Sequence, residues 1–460
     1  MAMSLRLLTF VIWTTLLLPS TPLGAQEPVP GNPVAARIGQ LEEQTELLQA
    51  QIRALKERQL QLERLPAVNT TGDPGVTMEQ VRGEIKKAAW KKGDLTVTPY
   101  GILWGSAVWE TQRSFPGAYI LWMDSFSTNN EDASYFDARS TRLGLDLAGP
   151  QFRWCPETKV TGKVEFDFQS SAGPRLNQGT VLLRHAYIKV DNGDSAILFG
   201  QYWDTISPLY PNMLGYIPAW GSGNIGYRRP QLRYDRNIAF SDYLMFKSQT
   251  SLNLATNWDF NTDPTVIGQT AGWPVLEGRW ALQFGERTGP YALPKEIGFS
   301  AHIGEEIYDI RATGGRPAID NLARRTWSAN VDISFPITQR LKVQAEFFTG
   351  ENLSTYLGGI LQGLNPITFN GIRTTGGWVE AGYYWTPSFH THVGYAIDDP
   401  FNQDLAAGQR SYNHQIFANA VYDITKKWLV GLEVSSWKTY YIDRRPGEGV
   451  RFEFVSKYAF

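Results

Sequence analysis

The sequence has very little cysteine and histidine. Its 460 residues include one cysteine, Cys155, and five histidines. A single thiol makes neither an intrachain disulfide nor a multi-cysteine metal site, so we interpret Cys155 as an incidental thiol in a turn. Only His390 and His392 lie close together, and a His-x-His pair without a third ligand does not predict a metal site. We therefore expect no metal and no other cofactor.

Catalytic signatures and a bias of charge are also absent. The sequence has no Gly-x-Ser-x-Gly, P-loop or His-Glu-x-x-His pattern, and its histidines supply no nucleophile–base pair. We therefore predict that the protein is not an enzyme and has no catalytic residues. Its 43 basic and 45 acidic residues give a formal net charge of −2, which argues against a nucleic-acid partner.

Long apolar runs are missing beyond the N-terminus, whereas aromatic residues are plentiful. After the first 20 residues or so, no apolar stretch is long enough to cross a bilayer as a helix. Aromatic residues make up 13% of the chain, with 16 Trp and 21 Tyr, and such rings settle at lipid–water interfaces. A membrane protein of this composition is predicted to be a β-barrel, whose strands direct every second residue into a polar interior.

Residues 1–25 have the pattern of a secretory signal peptide. Arg6 supplies the positive start, residues 7–18 form an apolar stretch too short to span a bilayer, and Gly24 and Ala25 suit a signal peptidase. A retained membrane anchor is the alternative. The signal-peptide interpretation implies export into the cell envelope.

Residues 36–65 have a heptad pattern. The seam positions, spaced alternately by three and four residues, are Ile38, Leu41, Thr45, Leu48, Ile52, Leu55, Gln59 and Leu62. This spacing predicts an α-helical coiled coil of about four heptads. A lone amphipathic helix lying on the barrel or on the wall polymer is the alternative. Pro66 ends the helix, and residues 66–93 are predicted to be a linker with a short helix near residues 78–92.

From residue 94 to residue 460 the sequence alternates between apolar and polar residues. In the last segment, Phe452, Phe454 and Phe460 fall on one face, whereas Arg451 and Glu453 fall on the other. This pattern predicts an all-β membrane protein, an antiparallel transmembrane β-barrel of about 16 strands. The predicted strands are 95–110, 135–149, 158–170, 181–192, 194–203, 229–240, 243–257, 277–289, 296–305, 326–337, 339–350, 374–386, 388–398, 411–424, 426–442 and 448–460.

The connections between these strands alternate in length. Long loops are predicted at residues 204–228, 258–276, 306–325 and 351–373, and tight turns separate them. Short periplasmic turns and long external loops are typical of outer-membrane barrels. An even strand number puts both ends of the barrel on the periplasmic side, which predicts a periplasmic coiled coil.

Together, the signal peptide, the coiled coil, the strand number and the terminal Phe460 resemble the trimeric outer-membrane porins of the DcaP-like type. Phosphate-selective porins are a related look-alike. Phe460 with Phe454 and Tyr458 resembles the C-terminal signal read by the barrel-assembly machinery. Residues 200–204 lead into a loop that ends at residues 227–233, which resembles the inward third loop of such porins. The resemblance implies a homotrimer in outer-membrane lipid and passive uptake of small, often anionic, solutes.

Strand parity predicts a set of charged side chains in the lumen. These residues are Arg142, Arg184, Arg229, Arg233, Lys163, Glu165, Asp167 and Asp235. A charge at mid-depth on the lipid face would cost about 2–4 kcal/mol, which supports the assignment, although Lys189 has the opposite parity to Arg184. The four arginines would form a cationic wall, faced by Asp204 and the acids of the third strand. Because a guanidinium binds two oxygens at once, this wall favours anions such as carboxylates or phosphate.

Two alternatives accompany that prediction. The arginines can instead pair with nearby acids and stiffen the wall, because buried charges are usually paired. In and beside the predicted inward loop of residues 204–228, which we expect to constrict the channel, Trp203, Tyr210 and Trp220 can stack on sugar rings. Such stacking would indicate a sugar-selective porin. The three rings can instead simply pack the loop against the barrel.

Two further functions compete with a diffusion channel. The coiled coil can grip the cell wall, which would make the protein a structural tether. The second competing function is that of an energised importer. Such proteins have about 22 strands and a plug in the lumen, and this N-terminal region is too small to be a plug.

Overall fold

A computed structural model describes residues 89–128, 130–150, 152, 155, 157–169, 179–256, 266–287 and 292–460. The predicted signal peptide (1–25), the predicted coiled coil (36–65) and most of the predicted linker lie outside the described residues. The last part of that linker is described. Trp90–Lys92 is a short strand that pairs with the start of the barrel rather than the end of a helix.

The described chain forms a closed barrel of 16 antiparallel strands, as predicted. The strands are β1 (Leu95–Glu110), β2 (Ala133–Asp137 and Arg142–Ala148), β3 (Lys159–Asp167), β4 (Leu182–Asp191), β5 (Ser195–Trp203), β6 (Arg228–Ser241), β7 (Leu244–Asn253), β8 (Val266–Gln269 and Val275–Phe284), β9 (Lys295–Ile310), β10 (Ile319–Pro336), β11 (Leu341–Glu351), β12 (Arg373–Thr386), β13 (Phe389–Pro400), β14 (Arg410–Thr425), β15 (Trp428–Tyr441) and β16 (Arg444–Ala459). Each strand pairs with its sequence neighbours, and β16 pairs with β1 from Ile102↔Ala459 to Glu110↔Arg451, which closes the barrel.

The two faces of the wall have opposite chemistry. On β16, Phe452 and Phe454 are exposed on the outer surface, whereas Arg451 and Glu453 are buried on the inner side. Many large apolar side chains elsewhere in the barrel are exposed in the same way. This arrangement reverses that of a water-soluble sandwich and suits lipid outside and polar groups inside. Among the described residues, no helix is long and apolar enough to span a membrane.

One of the predicted long loops is mostly strand. Residues 306–325 were expected to be a loop, but β9 runs to Ile310 and β10 begins at Ile319. The reason lies inside the barrel, where Tyr308 and Ile310 pack with Phe369 of a later loop. This contact buries alternate residues of β9 and extends the strand past the point where the apolar–polar alternation of the sequence becomes weak.

Three connections fold into the barrel and pack on one another. They are a hairpin formed by Ser114–Pro116 and Ile120–Met123, the loop of residues 204–227 (loop 3) and the loop of residues 352–372 (loop 6). Their shared apolar cluster contains Leu121, Trp122, Ile217, Trp220, Leu357 and Ile360. The interior of the barrel is therefore partly filled by its own loops.

Candidate functional site: the lumen and its charged walls

Loop 3 lies against the inner wall of the barrel. The Thr205 amide donates a hydrogen bond to Glu277 of β8 at 2.7 Å. Farther along the loop, the Leu209 amide donates to Glu346 of β11 at 2.7 Å. The loop therefore folds inward, as the resemblance to inward-looped porins implied.

The second half of loop 3 continues around the lumen. The Asn212 amide donates to Glu380 of β12 at 2.5 Å, and the Leu214 amide donates to Glu433 of β15 at 2.8 Å. The Tyr216 hydroxyl then donates to Asp167 of β3 at 2.9 Å. Because these partners lie on widely separated strands, the loop passes along much of the inner circumference.

Arg184 is the centre of an ion-pair network on β3 and β4. Its Nε contacts Glu165 at 2.7 Å, and its Nη1 contacts Asp167 at 2.7 Å. The β3–β4 register shifts by one residue at Glu165, which explains how Arg184 faces the lumen despite its parity relative to Lys189. Arg184 is therefore ion-paired and is not a free cation in the lumen.

Lys163 and Asp146 form a second ion pair on the same part of the wall. The Lys163 ammonium lies 2.8 Å from Asp146 and donates to the Tyr100 hydroxyl at 3.0 Å. Tyr100 in turn donates to Glu165 at 2.8 Å. The predicted lumenal residues of β3 are thus brought together in one hydrogen-bonded patch.

Arg229 is a fully buried structural cation. Its Nε and Nη2 donate to Asp204 at 2.7 and 3.0 Å, and Nη2 also donates to the Thr355 carbonyl at 3.1 Å. Its guanidinium lies 3.8 Å from the centre of the Tyr356 ring. Asp204 was expected to face the cationic wall across the pore, but it binds Arg229 directly because the two residues flank loop 3. Arg229 therefore fastens loops 3 and 6 to the wall.

Arg233 is also paired. Its Nε donates to Asp235 on the same strand at 2.7 Å, and its guanidinium lies 5.6 Å from the Tyr202 ring centre. For Arg184, Arg229 and Arg233, the structure agrees with the alternative in which arginines pair with acids.

Among the basic side chains that form no ion pair in the described residues, we single out Arg142, Arg228 and Lys457 and call them the unpaired basic group. Arg142 and Lys457 lie 5.4 and 3.6 Å from the Trp104 ring centre. Arg228 lies 4.8 Å from the Trp203 ring centre and 4.6 Å from that of Tyr227. All three cations therefore contact aromatic faces in place of carboxylates.

Arg228 also has open hydrogen-bonding capacity. Its Nη2 donates to the Tyr227 hydroxyl at 2.9 Å, but Nε and Nη1 have no hydrogen-bond partner, and Nε of Arg142 has none either. Only 2% of Arg228 is exposed. A buried guanidinium with free N–H groups is costly unless an acceptor reaches it, so this position is suited to receive an anion's oxygens.

Sequence reasoning missed Arg228 and Lys457. Strand parity selected Arg229 and Arg233 and thereby excluded their neighbour Arg228. The signal that identifies Arg228 is its cross-strand pairing with Trp203 at the point where loop 3 begins, which became visible only in the register.

The aromatic residues of loop 3 pack against one another. The Trp203 ring centre lies 5.2 Å from that of Tyr210 and 6.1 Å from that of Trp220. Only 5% of Trp220 is exposed. These rings therefore fit the interpretation in which they pack the loop against the barrel. Their contacts do not leave a free face on Trp220 for stacking on a sugar ring.

Four buried carboxylates form a second feature of the lumen, which we call the acidic arc: Glu277, Glu346, Glu380 and Glu433. They lie on β8, β11, β12 and β15. Each accepts a backbone amide of loop 3, and their exposure lies between 0% and 5%. The same alternation that selected residues on β2 to β6 would have predicted these inward positions.

The histidine pair lies beside Glu380 of the acidic arc. His392 Nδ1 lies 2.6 Å from Glu380, and His390 Nδ1 lies 2.8 Å from His392 Nε2. In the part of the chain that the structure describes, no group of three or more His, Cys, Asp or Glu residues could hold a metal ion. Cys155 is a free thiol that accepts a hydrogen bond from Thr158.

Solved structures with similar folds include an outer-membrane channel. The outer membrane channel DcaP of Acinetobacter baumannii matches with a TM-score of 0.64 and 19% identity, over 81% of this chain and 100% of that one. The chain has a porin fold. OprB of Pseudomonas putida (TM-score 0.50, 9% identity) matches over 83% of this chain and 97% of its own. OmpF of Salmonella typhi, in complex with daunomycin (TM-score 0.50, 15% identity), matches over 81% and 100%.

The likeness to DcaP confirms, for the porin fold, the resemblance seen in the sequence. No protein-family model matches the sequence, and no curated protein is similar to it.

Proposed function

We propose that the protein is an outer-membrane porin that lets small hydrophilic solutes diffuse through a water-filled channel, with a mild preference for anions such as carboxylates or phosphate. The observation that carries this proposal is the unpaired basic group. Arg142, Arg228 and Lys457 have no carboxylate partner among the described residues, and selectivity in channels follows the charged side chains at the narrowest point.

The chemistry of these residues sets the preference for anions. A guanidinium binds carboxylate or phosphate oxygens through charge-assisted hydrogen bonds. The aromatic faces beneath the three cations hold them in place without neutralising them. The channel carries out no reaction, so its function is geometry and electrostatics.

We also propose that the channel lies in the outer membrane. Outward apolar residues match outer-membrane lipid, and the terminal Phe460 is a signal for the barrel-assembly machinery. We further propose a homotrimer, exported by the signal peptide, with the residues 36–65 forming a periplasmic coiled coil. The heptad pattern supports the assembly, and the porin fold supports the location.

Solute flux tests the proposal directly. Liposomes that contain the purified protein are placed in isotonic solutions of a neutral sugar, a monocarboxylate and a primary amine of matched size. We expect swelling in all three, fastest with the carboxylate salt and slowest with the amine salt. Absence of swelling would contradict a channel, and equal rates for the two charged solutes would contradict the anion preference.

A further inference from the structure

Loop 3 contains almost no charge. Residues 205–226 include no Asp, Glu, Lys, Arg or His, and Asp204 at its start is bound to Arg229. Loop 3 therefore contributes backbone dipoles and uncharged side chains to the lumen, and the charges along its path are those of the wall behind it.

The wall behind loop 3 is acidic. None of the four carboxylates of the acidic arc forms an ion pair with Lys or Arg among the described residues. Other inward acids do so, such as Asp332 with Arg279 and Glu453 with Arg451. The partners of the acidic arc are instead amides of loop 3, at 2.5–2.8 Å.

The remaining partners of the acidic arc are also uncharged or weakly basic. Glu346 accepts a hydrogen bond from Trp378 at 3.2 Å, and Glu433 accepts one from Asn419 at 3.0 Å. Glu380 contacts His392 and the Asn212 side chain, at 2.6 and 2.8 Å. Burial beneath the loop separates these carboxylates from any cation in the channel. Hydrogen bonds satisfy one or both oxygens of each carboxylate, and Glu277 Oε1 is left without a partner.

We propose that loop 3 is a selectivity cover. It removes the acidic arc from the solute path, so that the unpaired basic group dominates the field that a solute meets. This inference rests on the proposed function, a porin that prefers anions. It adds a cause for that preference, which is the position of a loop that itself carries no charge. When the cover is displaced, up to four carboxylates face the channel and favour cations.

The test compares four forms of the full chain by reversal potential in a planar bilayer under a salt gradient. The first is the wild type. The second carries Glu346→Gln, Glu380→Gln and Glu433→Gln. In the third, residues 206–225 are replaced by a short Gly-Ser bridge, and the fourth combines both changes.

The two changes are expected to depend on each other. With the loop in place, the three Gln substitutions leave the reversal potential unchanged, because the carboxylates are covered. Loss of the loop reverses its sign toward cations, and the combined form returns to an anion preference. An anion preference retained after loss of the loop overturns the proposal, as does a shift caused by the Gln substitutions alone.

A gentler pair of variants tests the same point when the shortened loop prevents folding. Leu209→Pro with Leu214→Pro removes two of the amide donors, whereas Leu209→Ala with Leu214→Ala removes the same side chains and keeps the amides. We expect the proline pair to lose anion preference relative to the alanine pair. Equal reversal potentials for the two pairs would contradict the cover.

The outcomes also separate this inference from the proposed function. A wild-type protein that does not conduct refutes the porin itself. A wild type that conducts and prefers anions, together with unaltered selectivity in the loop variants, refutes only the cover.

Discussion

Among single residues, Arg228 and its neighbour Arg229 have different roles although both are buried arginines at the start of β6. Arg229 is bound by a carboxylate and a carbonyl and leaves only Nη1 without a partner, whereas Arg228 binds no carboxylate and leaves both Nε and Nη1 without partners. We therefore expect Arg229 to hold the fold together and Arg228 to attract anionic solutes. The distinction gives separate predictions for the two positions.

Replacing Arg228 should weaken the anion preference. In Arg228→Gln we expect the anion-to-cation permeability ratio to fall by roughly tenfold or more, since a hydrogen bond to a charged group contributes about 1.5–3 kcal/mol. Arg236→Gln is the matched control, because Arg236 lies on the same strand and hydrogen-bonds Ser195. The ratio is measured from reversal potentials, and equal effects of the two substitutions would exclude a special role for Arg228.

Replacing Arg229 should mainly reduce stability. Arg229→Gln leaves Asp204 buried without its counter-charge, and breaking one side of a buried pair costs about 3–5 kcal/mol. The temperature at which the barrel unfolds, read by the heat-dependent shift on a gel, should fall. Arg233→Gln should cost less, because Asp235 is more exposed, and Asp204→Asn added to Arg229→Gln should restore part of the loss.

Strand parity predicted which residues face the lumen, but not what they bind. Lys163, Glu165, Asp167 and Arg184 are together in one network, as their strands suggested. The pairing of Arg229 with Asp204 depends on the path of loop 3. Period-two alternation fixes a face, whereas a hydrogen-bond partner on a non-repeating loop leaves no periodic signal.

Among whole elements, the strands were predictable and the inward loops only partly so. All 16 predicted segments overlap observed strands, because each has alternating residues and turn formers at its ends. The inward course of loop 3 came from a resemblance. That of loop 6 was not predicted, since its fold depends on wall residues far along the chain, such as Asp398 and Arg410.

Loop 6 is held in an uncommon backbone conformation. Leu357, Ile360 and Leu361 have φ angles of 66°, 52° and 56°, a region that side chains, β-branched ones above all, rarely adopt. Asp398 accepts the Ile360 amide at 2.9 Å, and Arg410 donates to the Ile360 carbonyl at 3.1 Å. Such conformations cost on the order of 1–3 kcal/mol each and persist where surrounding contacts impose them.

Removing the Asp398 contact should therefore loosen loop 6. In Asp398→Ala we expect larger or noisier single-channel conductance, because the Ile360 amide loses its acceptor and the loop can leave the lumen. Asp399→Ala is the control, since this adjacent carboxylate has the opposite parity on β13 and does not bind the loop. Indistinguishable current traces from the two variants would contradict the anchoring role of Asp398.

At the scale of the whole molecule, we propose that the barrel and the N-terminal segment have separable roles. The closed β16–β1 pairing gives the barrel a complete hydrogen-bonded wall of its own. Deleting residues 36–65 should therefore leave a conducting channel but lower the heat stability of the trimer. Chemical cross-linking and gel mobility measure the assembly, and a truncated protein that forms an equally heat-stable trimer would exclude the coiled coil as the trimer's support.

The central claim is that this porin-fold barrel conducts and prefers anions because its unpaired cations face the solute path. Single-channel recording of the purified protein in a planar bilayer, under a salt gradient, tests it most directly. We predict stepwise openings in groups of three and a reversal potential of the sign that favours anions. A silent bilayer, or a reversal potential that favours cations, would contradict the account.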